Sequence, residues 1–373
     1  MRRKLDAIAL LLLSFSPLVF GYTYDATPLE TGNLAIFCVF ALLFLVEIAL
    51  CFIALIIARG FRTPLAVLLP AIIFYFLSCL NGIANDVAFA NGDDFPPPDL
   101  IIATNAMLEF FPDWGNVLLF LAVCLAFFNR QAALNRHSSG NSGPVSIFQY
   151  IGLALHSLLL FILATAAGGL ITAYLNVLYG DQFDLTVRDL AHKFNNYKHV
   201  SYAFESFLIV SAFFVLFCAV MLFQAMKKAA ASDAIQASKV LIYGMTPLYA
   251  VYMVVVMAFT IINSPAGLKA NASLTSLDSS ADANAVLTNF FFFAVALLLI
   301  ILGFRRSSYA IGNPSYMTPP QVPMQTWPQS GYYPYPQPQA QGYYYAQYPD
   351  PIKSAPSVGD NMGAGAPPAQ FHQ

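Results

Sequence analysis

Long apolar runs, each about as long as a bilayer crossing, alternate along this chain with short polar segments rich in Pro, Gly, Asn and Asp. A crossing helix needs about 20 apolar residues. Seven segments meet that requirement: 34–58, 64–84, 103–128, 148–177, 202–226, 240–263 and 285–304. A further apolar stretch, "AIALLLLSFSPLVFG", precedes them. It follows Arg2, Arg3 and Lys4 and ends near Gly21 with Val19 at the preceding small-residue position. That layout predicts a secretory signal peptide over 1–21, or its uncleaved form, a signal anchor.

Two segments depart from the simple pattern. The third run carries Glu109, Pro112, Asp113 and Trp114 in its outer half. A kink near Pro112 is expected there, or outer turns that face protein and water instead of lipid. In the loop from Gly180 to His199, Phe183, Val187, Leu190, Phe194 and Tyr197 recur at spacings of 4, 3, 4 and 3. This predicts an amphipathic helix lying across the outer mouth of the bundle or along the headgroups, with His192 and His199 on its wetter side. From 305 to 373 the chain turns to Pro, Gln, Tyr, Gly and Ala with almost no charge after Arg306, a composition that predicts a disordered tail.

Composition agrees with the apolar runs. Of 373 residues, 58% are hydrophobic and 10% charged, and the mean hydropathy is +0.63, outside the balance of a soluble globular chain. A net charge of -2 gives no reason to expect nucleic acid as a partner. Cys38, Cys51, Cys79, Cys124 and Cys218 all fall inside apolar runs, so they are expected as buried thiols and not as a disulfide framework.

Loop charges predict the orientation, because cytoplasmic loops collect Lys and Arg. With residue 22 outside, the inner segments hold Arg59, Arg62, Arg130, Arg136, Lys227, Lys228, Lys239, Arg305 and Arg306, and the outer loops only Arg188, Lys193, Lys198 and Lys269. The glycosylation sequon at Asn271 falls in an outer loop, where its acceptor is usable. The expected protein is therefore all-α and integral to the membrane. It has a signal peptide at 1–21, a seven-transmembrane helix bundle over 22–304 with its N-terminus outside, and a cytosolic tail over 305–373. Delivery through the secretory pathway makes the plasma membrane its expected location.

Candidate chemistry lies in the acids that interrupt apolar runs. Glu47 sits in "FLVEIALC", where a charged acid costs on the order of 2.5–3.5 kcal/mol. With no Lys or Arg in any predicted span, Glu47 is expected to be a neutral, inward-facing, hydrogen-bonded acid. His156 lies at a depth differing by roughly 5 Å and meets it only if spans one and four are neighbours. Glu109, Asp113 and Glu205 fall near the outer ends of spans three and five, where they either form an anionic vestibule for a cationic ligand or ion or simply meet water. In span four, Ala164, Gly168 and Thr172 run beside Thr165, Gly169 and Ala173, two small-residue rows expected to pack tightly on another helix. In the tail, Asn313, Pro314 and Tyr316 form an N-P-x-Y sequence of the type bound by cytosolic adaptors, and Pro320 and Pro323 form a minimal P-x-x-P.

Several chemistries lack their residues. Without an intramembrane Lys there is no retinal Schiff base, and one intramembrane His builds neither a multi-His zinc site nor a pair of haem ligands. No Walker motif, G-x-S-x-G elbow or dinucleotide fingerprint occurs. No enzyme, cofactor or metal is expected. In span count and orientation, residues 34–304 resemble the seven-transmembrane receptor superfamily. Span three ends "FFNRQ", with Asn129 and Arg130 where such receptors often carry an acid-Arg pair. Residues 178–201 contain no cysteine, so the disulfide usual between span three and that loop is absent. The resemblance implies a receptor-like or sensor protein with a small-ligand site among the outer halves of its helices. A proton-coupled transporter using Glu47, Glu109 and His156, and a scaffolding protein acting through its tail, are the other two expectations.

Overall fold

The computed structural model describes residues 28–58, 60–90, 98–139, 147–179, 187–228, 232–262 and 274–304. The predicted signal peptide over 1–21, Asn271 and the predicted tail motif at Asn313, Pro314 and Tyr316 lie outside them. Among the described residues there are no strands. The helices are α1 (Pro28–Ile57), α2 (Arg62–Ala90), α3 (Pro98–Ser139), α4 (Ile147–Tyr179), α5 (Val187–Lys228), α6 and α7 (Leu274–Phe304). Helix α6 comprises Ser232–Val240, a π-helical turn Leu241–Met245, and Thr246–Ile262. Each of the seven is long and apolar enough to cross a membrane.

The helices alternate in direction around a ring. With α1 drawn running downward, Phe44 meets Tyr75 and Phe292, and a lower layer joins Ala54, Leu65 and Gly303. Hence α2 runs up and α7 runs down. Helices α1 to α7 each pack on their neighbours in sequence, and α7 closes the ring on α1. Helix α3 also packs against α5 and α7. Two thirds of its apolar window is buried, against 22–44% for the others. It is the central post, which explains why polar residues are tolerated there: its neighbours are protein, not lipid.

Two helices far outrun the expected spans. At 1.5 Å per residue, the 42-residue α3 and α5 are each about 63 Å long, twice the thickness of a hydrocarbon core. Helix α3 passes unbroken through Pro112. It also continues beyond Phe128, so Arg130 is not in a loop: it is fully buried, with its Nε donating to the Ser238 Oγ of α6 at 3.1 Å. The expectation of no cation inside a span is thereby corrected. The separate amphipathic helix expected over 180–199 is corrected as well. From Val187 onward that segment is the upper end of α5, and the apolar face carrying Phe194 and Tyr197 packs on Ile102, Ala167, Ile171 and Leu175. Phe194 and Tyr197 of the predicted period face α3 and α4, while residues 180–186, with Phe183, lie outside the described residues.

The π turn in α6 has a local cause. Pro247 has no N–H, and its ring would collide with the carbonyl four residues back. The helix widens just before it, and the Thr246 N–H and hydroxyl both donate to the Leu241 carbonyl.

Candidate functional site

On α3, residues 109, 113 and 116 share one face, while 110 and 114 point away from it. Phe110 and Trp114 stack on each other with centroids 4.9 Å apart, and Trp114 meets Phe74 of α2 and Phe161 of α4. Phe110 also lies against the backbone at Gly168, where a Cβ would collide with its ring. These contacts fix the rotation of α3 and turn Glu109, Asp113 and Asn116 toward the bundle axis. Two polar contacts hold its upper turns to α2: the Asn81 amide donates to the Thr104 carbonyl, and the Thr104 hydroxyl lies 3.2 Å from Asn85 Oδ1.

The face carrying the acids borders a cavity of about 290 Å³ at the upper end of the bundle. Glu109 and Asp113 come from α3 and Glu205 from α5. Phe37, Tyr75, Phe204 and Phe259 supply aromatic wall, and Asn284, Thr288 and Asn289 of α7 line the opposite side. No Lys, Arg or His is among the lining residues. The Tyr197 hydroxyl is within hydrogen-bond reach of Glu109, and Glu205 is within reach of Thr260. Lys198 is close enough to act on Glu205, but its ammonium rests 4.9 Å from the Phe194 ring centroid. Three carboxyl groups around one small cavity repel one another unless a proton or a cation intervenes.

The floor of the cavity is a buried polar node. The Tyr75 hydroxyl of α2 lies 2.8 Å from Asn116 Oδ1, and the Tyr252 hydroxyl of α6 also reaches that amide. The two hydroxyls are 2.9 Å apart. Gly115 permits this: any Cβ there would lie 2.6 Å from the Tyr75 ring. Beside the node, Ser211 Oγ and the Tyr249 hydroxyl pair at 2.8 Å and join α5 to α6.

Glu47 and His156 belong to neither the cavity nor each other. Phe37 lines the cavity, and Glu47, ten residues further down α1, is about 15 Å deeper. It is fully buried, and neither carboxyl oxygen has a hydrogen-bond partner among the described residues. The expectation of a hydrogen-bonded Glu47 is corrected: it lies one turn below Phe44, buried and without a polar partner among the described residues. His156 faces α3 and α5, enclosed by Phe120 at 5.2 Å, Phe214 at 6.1 Å and Phe207 at 6.5 Å between ring centroids. Helix α4 packs on α3 and α5 while α1 packs on α2 and α7, so the two residues stand on different sides of the bundle. The small-residue rows also separate. Gly168 is closed against Phe110, whereas Gly169 is exposed, with open space for 4 Å around the point where a Cβ would stand.

Sequence reasoning passed over Tyr75, Ser78, Asn116, Tyr252 and Asn289, because it weighed only charged residues inside apolar runs. A signal did exist: each is an uncharged polar group interrupting such a run, and such groups face protein more often than lipid. No protein-family model, no curated protein and no solved structure matches this chain.

Proposed function

We propose that this protein is a receptor-like sensor, binding a small ligand in the upper cavity and passing its presence to the opposite end of the bundle. One observation carries the reading: six helices line the cavity, and the core beneath it is packed. The floor is the Tyr75–Asn116–Tyr252 node, below which α3 is packed by Val117, Phe120, Val123 and Phe127. A ligand there touches α3, α5, α6 and α7 together and so can bias how they pack.

The loop charges support placing the cavity outside and the tail, with its adaptor-type sequence, in the cytosol. A proton-coupled transporter would draw on Glu47, Glu109 and His156, and the separation of those three groups gives that reading no continuous polar path. The plasma membrane is the location that suits a sensor of outside ligands.

The test uses the full chain in nanodiscs, with a fluorophore attached through Lys228→Cys at the lower end of α5. A small-molecule library is screened for compounds that both raise the unfolding temperature and shift the fluorescence. Thr288→Trp, which fills the cavity, should abolish both effects. If every stabilising compound acts equally on Thr288→Trp, or stabilises with no change at position 228, the proposal fails.

A further inference from the structure

The hydrogen-bonding capacity of the cavity wall is strongly one-sided. Glu109, Asp113 and Glu205 are acceptors when ionised. Asn289 is only 9% exposed, and its Nδ2 donates to the Ala285 carbonyl at 2.8 Å. That bond fixes the amide and leaves Oδ1, without a partner among the described residues, on the cavity side. The Thr288 hydroxyl proton is committed to Asn284 Oδ1 at 3.0 Å. The single Thr260 proton goes to the Val256 carbonyl at 2.8 Å or to Glu205. Both threonines therefore offer the cavity lone pairs only.

Asn116 closes the floor without adding an acceptor. The Tyr75 and Tyr252 hydroxyls both donate to its Oδ1, which leaves its Nδ2 as a donor. Against the acceptors stand few donors: the amides of Asn116 and Asn284 and the Ser78 hydroxyl.

We infer that the ligand is a small organic ammonium ion, its N–H donors held by Glu109, Asp113, Glu205 and Asn289 and its carbon skeleton against the aromatic wall. This rests on the sensor reading above and names the ligand class of the same cavity. Three features favour an organic cation over a metal ion. Cavity size is at the lower end of ligand pockets, which run about 300–1,000 Å³, and still far larger than one ion. Phe37, Tyr75, Phe204 and Phe259 present ring surface, which attracts ammonium groups and buries hydrocarbon. The amide and hydroxyl acceptors lie on α6 and α7, apart from the two acids of α3, and do not form one compact cage.

The test compares matched pairs on the full chain in nanodiscs: 2-phenylethylamine with 2-phenylethanol, and 1,4-diaminobutane with 1,4-butanediol, by calorimetry and thermal shift. At least one ammonium compound should bind, with its neutral partner weaker by tenfold or more, about 1.4 kcal/mol. Asp113→Asn and Glu205→Gln should each weaken the ammonium compound by tenfold or more and leave the neutral one unchanged. Asn289→Leu should weaken it several-fold. Two separate acid variants keep the test decisive if one fails to fold.

Equal binding of charged and neutral partners would overturn the ammonium assignment and leave the sensor reading standing. Failure of both ammonium compounds would overturn the assignment, as would calcium chloride alone giving a stabilisation that Asp113→Asn removes. An ammonium compound that binds in this acid-dependent way without moving the fluorophore at position 228 would uphold the ligand class and overturn the sensor.

Discussion

The hydroxyl oxygens of Tyr75 and Tyr252 lie 2.9 Å apart although 177 residues separate them in the chain. Asn116 joins them, so three helices meet at one polar point in a core of aromatic and aliphatic side chains. Removing the amide leaves the two hydroxyls bonded to each other with one proton unpaired, whereas removing one hydroxyl leaves a bonded pair and no unpaired proton. An unsatisfied buried group costs about 1–3 kcal/mol. Asn116→Ala should therefore lower stability by about 2–3 kcal/mol and Tyr252→Phe by about 1 kcal/mol. Thermal unfolding of the purified protein measures both, and equal losses would mean that the node does not act as a unit.

Glu47 calls for the opposite experiment. A fully buried carboxyl group with no partner among the described residues is a cost that an apolar side chain of similar size does not carry. Glu47→Met should raise stability, by about 1–3 kcal/mol. Glu47→Gln, which keeps an unpartnered polar group, should not. A loss of stability in Glu47→Met would point to a bridging water or a bound proton carrier at this position.

Glycine positions on α3 and α4 separate packing from composition. Gly115→Ala places a methyl group 2.6 Å from the Tyr75 ring, and overpacking of this kind costs about 1–3 kcal/mol. Gly168→Ala meets Phe110 and should cost a similar amount. Gly169→Ala meets open space and should be neutral or slightly stabilising, since Ala is the better helix former by about 1 kcal/mol. Comparing the three unfolding temperatures checks the placement of both helices.

Ser238→Ala removes the acceptor for the buried Arg130 Nε. Hydrogen bonds to charged groups contribute about 1.5–3 kcal/mol. A stability loss of that order is expected, read in the same unfolding assay. Ser206→Ala, at an exposed position on α5, is the control and should leave the transition unchanged.

The seven apolar helices were legible because hydrocarbon imposes a length and a composition on whatever crosses it. Their ends were not. The apolar count stops at Phe128, but α3 goes on to Ser139, and Arg130, Gln131 and Leu134 of that stretch are buried against protein. Hydropathy reports what lipid tolerates and is silent where a neighbouring helix provides the cover, and Arg130 shows this most plainly. Phe194 and Tyr197 teach a related point: their period revealed one apolar face, while the choice between membrane and α4 as its cover depends on tertiary structure. Glu109, Asp113 and Glu205 stood out as acids in or beside apolar runs. Asn116 and Asn289 did not, since a single amide perturbs a hydrophobic run too little to draw notice.

The π turn at Leu241–Met245 places one more residue in α6 than a regular helix would need to cover the same rise. Each residue of an α-helix turns the chain by about 100°, so the extra one acts as a phase shifter between two faces read separately. Above it, Tyr249 and Tyr252 face the core; below it, Ser238 faces Arg130. Shortening the turn by one residue would restore a regular helix, yet it would rotate Ser238 about a quarter-turn away from Arg130 while Tyr252 kept its place. In this bundle, local regularity and long-range alignment are mutually exclusive, and the wide turn is how alignment prevails.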